Sequence, residues 1–165
     1  MTQTPALDAT DIAILQAVQA DASLSVAQIA ERIHLSPTPC WRRIKRLEEI
    51  GAIKARVALL DPTVLGFDLT ALVYVRLAKA DAGSREAFEK AVIALEPVLL
   101  CDAISGDWHY QLRVAARTAL ALDRFLAERI WRLPGVAAVA ATVALRTVKS
   151  STRLPLGSAA ADLAP

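Results

Sequence analysis

The sequence predicts an α+β chain in two parts. An N-terminal three-helix, helix-turn-helix (winged-helix-like) domain precedes a C-terminal ferredoxin-like domain of order β-α-β-β-α-β. Two observations carry this. Residues 26–33 and 36–50 read as helices joined by a turn of about three residues, the second of them basic. Past Gly51 the apolar spacing changes, and strand-like and helix-like stretches alternate in the ferredoxin-like order.

In the first domain, expected over 7–60, residues 8–21 place Ile12, Ile14, Leu15 and Val18 at helical spacing. Asp8 and Asp11 lie near the start, where carboxylates suit the positive end of a helix dipole. Asp-Ala-Ser-Leu-Ser (21–25) is a turn, and Ser25 can cap a helix over 26–33 with Ile29, Ala30 and Ile33 inward. His34-Leu35-Ser36 turns the chain again. Ser36 is an N-cap candidate whose hydroxyl can accept a first-turn N–H, and Pro37 and Pro39 fall where no helical bond is lost. Gly51 closes this helix as a C′ residue. Ile53–Leu60 reads as a strand leaving the helical unit, and Asp61-Pro62 and Gly66 mark a linker at 61–67.

The second domain, expected over 68–156, begins with a strand at Thr70–Ala78 that puts Ala71, Val73, Val75 and Leu77 on one face. A helix over Ser84–Leu95 carries Phe88, Val92 and Leu95, and Pro97 stops it. A strand over Val98–Ser105 reaches a two-residue hairpin turn at Gly106-Asp107 and returns over Trp108–Ala115. A helix over Leu120–Leu133 ends at Pro134-Gly135, and Val136–Thr147 is the last strand. The Ala-rich tail, 157–165, is expected to be mobile.

Composition narrows the function. The chain has 165 residues, 55% of them apolar, enough for substantial cores. Its net charge is only +2, but Arg42, Arg43, Lys45 and Arg46 fall within six positions that hold no carboxylate. Cys40 and Cys101 are far apart and read as buried small hydrophobes in a reducing compartment. His34 and His109, the two histidines, offer no metal-ligand spacing, so neither metal nor cofactor is expected. No nucleophile–base pair or phosphate loop stands out, and Asp8, Asp11, Glu48 and Glu49 are explained by helix ends rather than by acid–base chemistry. The N-terminus lacks a cationic leader, and the apolar run Val136–Leu145 is too short to span a membrane, so a cytoplasmic location is expected.

The helix at 36–50 carries the functional signal. At about 100° per residue, Cys40, Ile44 and Leu47 share one face, and Thr38, Arg42, Lys45 and Arg46 the opposite one, with Trp41 and Arg43 on the flanks. One side suits a core; the other carries the cations and hydroxyl that phosphates and base edges require. The candidate DNA-contacting residues are therefore Ser36, Thr38, Pro39, Trp41, Arg42, Arg43, Lys45 and Arg46. Arg42, nearest the N-terminus on the exposed face, is the base-reading candidate, and Lys45 and Arg46 are phosphate contacts. Trp41 reads equally as a packing residue and as a DNA contact.

The chain resembles the Lrp/AsnC (feast/famine) family of transcription regulators over roughly 7–156. The markers are Leu7-Asp8, Asp11, Ile14-Leu15, Leu35 through Cys40, Arg46-Leu47-Glu48, Gly51, Ile53, Leu60-Asp61-Pro62 and Leu65-Gly66. Ser105-Gly106-Asp107, Tyr110, Leu133 through Val136 and Val148-Lys149 follow. The resemblance implies sequence-specific binding to double-stranded DNA by homodimers, often assembled into tetramers or octamers, and a role in amino-acid metabolism. It also implies an amino-acid effector held near subunit contacts, by positions that map to Ala103, Gly106, Asp107, His109, Thr142 and Ala144. Family members commonly carry a carboxylate where this chain has His109, and a neutral imidazole holds an ammonium group less well. The alternative is an architectural DNA-binding protein that works without an effector.

Overall fold

The computed structural model describes residues 6–157, which divide into two compact units, one of residues up to Leu59 with those from Lys149 on, the other Leu60–Val148. The first unit holds helices α1 (Ala9–Ala20), α2 (Val26–Arg32) and α3 (Pro37–Glu49). Ser25 caps α2 reciprocally with Gln28. His34 takes a left-handed backbone (φ 55°) in the turn between α2 and α3, a conformation His tolerates better than most residues. Gly51 (φ 74°) ends α3 by the same device. The core is Ile14, Val18, Ile29, Ala30, Cys40, Ile44 and Leu47, so the apolar stripe of α3 is buried as its spacing requires.

Two expectations change in this unit. Ser36 has N-cap backbone geometry, but its side chain makes no cap hydrogen bond. The reason lies in its neighbours: Pro37 and Pro39 supply no N–H, leaving only Thr38 with a free donor in the first turn. The stretch 53–60 forms no strand and pairs with none among the described residues, and Val57 and Leu59 stand exposed. A strand needs a ladder partner, and the described residues of this chain offer it none.

Residues 153–156 lie along α1. The Gln19 amide donates to the Leu154 carbonyl (3.0 Å) and accepts from the Leu154 N–H (3.0 Å). Gln16 donates to the Leu156 carbonyl and Arg153 to the Ala20 carbonyl. These bonds place the segment with the helical unit, where the sequence pattern had run the sheet domain on to 156. Of the tail expected to be mobile, residues 158–165 lie outside the described residues.

The second unit is a four-stranded antiparallel sheet of order β2-β3-β1-β4, built from β1 (Leu69–Leu77), β2 (Val98–Ala103), β3 (Tyr110–Ala116) and β4 (Val136–Val143). Helix α4 (Ala82–Val92) is capped by Asp81, and α5 (Ala119–Phe125), capped by Thr118, runs on through one wide π turn over Leu126–Ile130. The buried residues of β1 (Ala71, Val73, Val75, Leu77) and β3 (Tyr110, Leu112, Val114, Ala116) pack with Phe88, Val92, Leu122 and Ile130 of the helices. Helices thus cover one face of the sheet, as the ferredoxin-like order demands.

The expected linker at 61–67 is a hydrogen-bonded turn held to this unit. Phe67 N–H bonds to the Pro62 carbonyl, while Arg117 bonds to the Leu65 carbonyl and lies over the Phe67 ring. Gly66 is needed there: its φ is +75°, and a Cβ would meet the Arg117 guanidinium at 2.8 Å. The hairpin between β2 and β3 is wider than the expected two-residue turn. Ladder pairing stops at Ala103 and Tyr110, and Ile104 N–H bonds to the His109 carbonyl. The cause is local. His109 N–H donates to the Val75 carbonyl and its ring is drawn onto Leu77, while Trp108 folds over Tyr74 (6.1 Å between centroids) and Arg76.

Candidate DNA interface and effector region

Asp11 organises the DNA-facing unit. Its side chain is 1% exposed, yet it is charged and fully partnered. One oxygen accepts from Arg43 (2.8 Å); the other accepts from Arg46 (2.9 Å) and from the Asp8 N–H (3.2 Å). Asp8, the N-cap of α1, accepts from the Asp11 N–H (2.8 Å) and from Arg43 (2.6 Å). Burial alone would raise the Asp11 carboxyl. The Arg43, Asp8 and Arg46 hydrogen bonds outweigh it and hold the group below its ordinary 3.8. Asp8 is lowered too, first by the Asp11 N–H and then by Arg43.

Both shifts are downward, so ionised Asp8 and Asp11 contribute stability that is complete above the unfolded value of about 3.8 and lost as pH falls through the lower folded values. The urea midpoint of the helical unit is therefore expected to fall between pH 5 and pH 3. An Asp11→Asn variant should show a flatter acid limb; identical limbs in the two proteins would contradict the assignment.

The four cations of α3 thus divide by partner. Arg43 and Arg46 bind back to α1, with Arg46 also reaching the Ala6 carbonyl. The outward direction read for the Arg46 guanidinium is therefore changed by its bond to Asp11. Lys45 pairs with Glu48 one turn on (2.8 Å), an exposed pair of small value. Arg42 is exposed and makes no ion pair among the described residues. Trp41 is 50% exposed, and Ser36, Thr38 and Pro39 are exposed at the helix start. Asp8, Pro39, Arg42, Arg43 and Arg46 together line an open depression of about 510 Å³.

The candidate effector residues fall into two groups. Ala103, Gly106, Asp107 and His109 cluster at the β2–β3 hairpin. His109 Nδ1 accepts the Leu77 N–H (3.0 Å), which leaves Nε2–H as its donor, without a partner among the described residues. Thr142 pairs with Leu72 and Ala144 N–H with the Thr70 carbonyl. From Leu77 to Leu72 is about 16 Å along β1 at ~3.3 Å per residue. One chain therefore does not bring the two groups around a single small ligand.

Beside Ala103, a second depression of about 290 Å³ is lined by Glu89, Val92, Ile93, Cys101 and Tyr110. The Tyr110 hydroxyl donates to Glu89 (2.7 Å), and burial, then that bond, pushes it up to about 12. Burial likewise raises both thiols, Cys101 to about 11, so neither is a ready thiolate. Among the described residues no group of His, Cys, Asp or Glu could hold a metal ion, and no helix is long and apolar enough to cross a membrane.

Residues 7–54 match the winged helix-turn-helix DNA-binding family, and 70–154 match the Lrp/AsnC ligand binding domain. The chain belongs to the Lrp/AsnC family of transcriptional regulators. It is 37% identical to the leucine-responsive regulatory protein of Klebsiella pneumoniae over 148 residues, 90% of each protein. It is 33% identical to the DNA-binding transcriptional activator DecR of Escherichia coli K12 over 150 residues, 91% of this chain and 99% of DecR. A transcriptional regulator of Neisseria meningitidis, solved in complex with L-methionine, superposes with a TM-score of 0.86 at 35% identity, covering 92% of this chain and 97% of that one. This Lrp/AsnC protein is accordingly a DNA-binding transcriptional regulator with a ligand-binding domain, and not an enzyme.

Sequence reading missed the arginine-to-α1 network. Its signal was present: Asp11 occupies an inward helical position with Ile14 and Val18, and a carboxylate on a core face needs cationic partners.

Proposed function

We propose that this regulator reads specific DNA sequences with α3 and that an amino acid bound at subunit contacts modulates the reading, in the control of amino-acid metabolism. The carrying observation is the division of cations on α3. Among the described residues Arg42 is exposed and unpaired, and Lys45 is held only by a surface pair. Both are available to DNA, Arg42 for a guanine edge and Lys45 for a phosphate. Ser36 and Thr38 offer hydroxyls beside them.

A homodimer, extended to a tetramer or octamer, accounts for what a single chain leaves open. The stretch 54–60 has no backbone hydrogen bonds among the described residues and exposes Val57, Leu59 and Leu60. The sheet face opposite the helices presents Leu72, Tyr74 and Ala140. The separation of the hairpin from Thr142 and Ala144 supports a pocket closed by more than one chain. In that pocket Asp107 suits an ammonium group, and the free Nε2–H of His109 suits a carboxylate. The methionine complex of the Neisseria regulator and the leucine response named for the Klebsiella relative support an amino acid as ligand.

One observation favours an architectural, effector-independent protein instead: His109 stands where a carboxylate would hold an ammonium, and its Nδ1 is committed to Leu77. Thermal shift against the twenty amino acids separates the readings. A ligand of the folded state at about 100 times its Kd adds ~2.7 kcal/mol and raises the melting temperature. A rise with one or a few amino acids is the expected result. No rise with any of the twenty would favour the architectural reading. Sequencing of genomic DNA retained by the protein then tests specificity: enriched fragments sharing a repeated half-site are expected, and random recovery would contradict it.

A further inference from the structure

The depression between the start of α1 and α3 is cationic but carries its own anion. Three of its lining side chains are guanidiniums, those of Arg42, Arg43 and Arg46, and one is the carboxylate of Asp8. Asp11 backs the depression from the core with every oxygen engaged, and at 1% exposure it is a fixed anchor. Asp8 differs. Its side chain is 53% exposed, and one oxygen is spent capping α1 while the other accepts only from Arg43. Arg43 uses one terminal nitrogen for both carboxylates, and the rest of its donor fork has no partner among the described residues. Arg42 has none among the described residues.

The start of α3 would not hold an anion by backbone donors, because Pro37 and Pro39 remove two of its N–H groups. Guanidinium forks remain, and these match the oxygens of a phosphodiester. We infer that this depression clamps one phosphate of the DNA backbone, and that Asp8 occupies in the free protein the place on Arg43 that the phosphate takes in the complex. Asp8 is thereby a built-in brake. It screens a fixed cation, lowers affinity for every sequence alike and leaves discrimination to α3. This rests on the reading of α3 as the DNA-facing helix.

Asp8→Asn tests it, since asparagine is an equally good N-cap and keeps the α1 bond while removing the charge. Asp8→Ser, also a capping residue, is the second variant, and circular dichroism confirms folding. Binding to a random-sequence duplex is titrated with salt for wild type, Asp8→Asn, Asp8→Ser and Asp8→Asn with Arg43→Gln. Asp8→Asn should bind several-fold more tightly at about 0.1 M salt, because no carboxylate has to be displaced from Arg43 before the phosphate is held. Adding Arg43→Gln should erase that gain.

Equal or weaker binding by both Asp8 variants would overturn the brake, and so would a gain that survives Arg43→Gln. The two levels fail separately. Wild-type binding that Arg42→Ala and Lys45→Ala leave untouched would remove α3 from the DNA. Binding that depends on those residues but ignores Asp8 would remove only the clamp.

Discussion

Replacing Asp11 by alanine is expected to destabilise the helical unit by about 2–3 kcal/mol. Breaking a buried ion pair by removing one partner costs ~3–5 kcal/mol when the remaining charge stays buried. Here the remaining guanidiniums, Arg43 and Arg46, are 33% and 47% exposed and can rehydrate, which brings the figure down. The cavity left by a carboxylate adds little, but the Asp8 N–H loses its acceptor as well. For a unit of this size the melting transition should drop on the order of 10 °C, read by calorimetry or by a urea midpoint. Asp11→Asn keeps the shape and one acceptor oxygen and should fall between wild type and Asp11→Ala. A loss below about 0.5 kcal/mol would mean the network behaves as an exposed surface pair and does not organise α1 against α3.

That network also marks where sequence reading stops. The apolar face of α3 was legible because Cys40, Ile44 and Leu47 recur at helical spacing, and burial follows from spacing alone. The alternation of Ala71, Val73, Val75 and Leu77 gave β1 in the same way. Both are periodic properties of one element. The partner of a long flexible side chain is not periodic. Arg46 sits on the outward arc of α3 by angle, yet its reach lets it turn back to Asp11, 35 residues earlier. The Ser36 cap is a different case: the motif was right, but Pro39 removes the N3 donor, and Ser36 makes no side-chain bond to the one that remains, on Thr38.

At the effector region the limit is different. Gly106 and Asp107 announced a turn, and a turn is present, but its width is set by His109 bonding to β1. That contact joins residues 32 apart and leaves no trace in local composition. The stretch 53–60 shows the converse. Its strand-like pattern is real, but a strand is a relation between two segments, and among the described residues the second is missing.

Arg42→Ala is expected to lose about 1–3 kcal/mol of discrimination between the specific site and random DNA, a factor of roughly 5 to 150. The argument runs through what the other cations are already doing. Arg43 and Arg46 are tied to α1, and a guanidinium shared with a buried carboxylate cannot turn freely to a base edge. Lys45 carries a point charge without the planar fork that pairs with guanine. Arg42 alone of the four combines the fork with freedom from an ion-pair partner among the described residues, and it stands one turn from the helix start, where recognition helices meet base edges. Lys45→Ala should instead weaken specific and random duplexes by the same factor and make the salt dependence shallower by about 0.9, because releasing its Glu48 pair is a small term. Parallel salt titrations on both duplexes read the two variants together. Equal losses on specific and random DNA for Arg42→Ala would reassign it to the backbone, and sequence would then be read by Ser36, Thr38 or Trp41, the exposed side chains left at that end of α3.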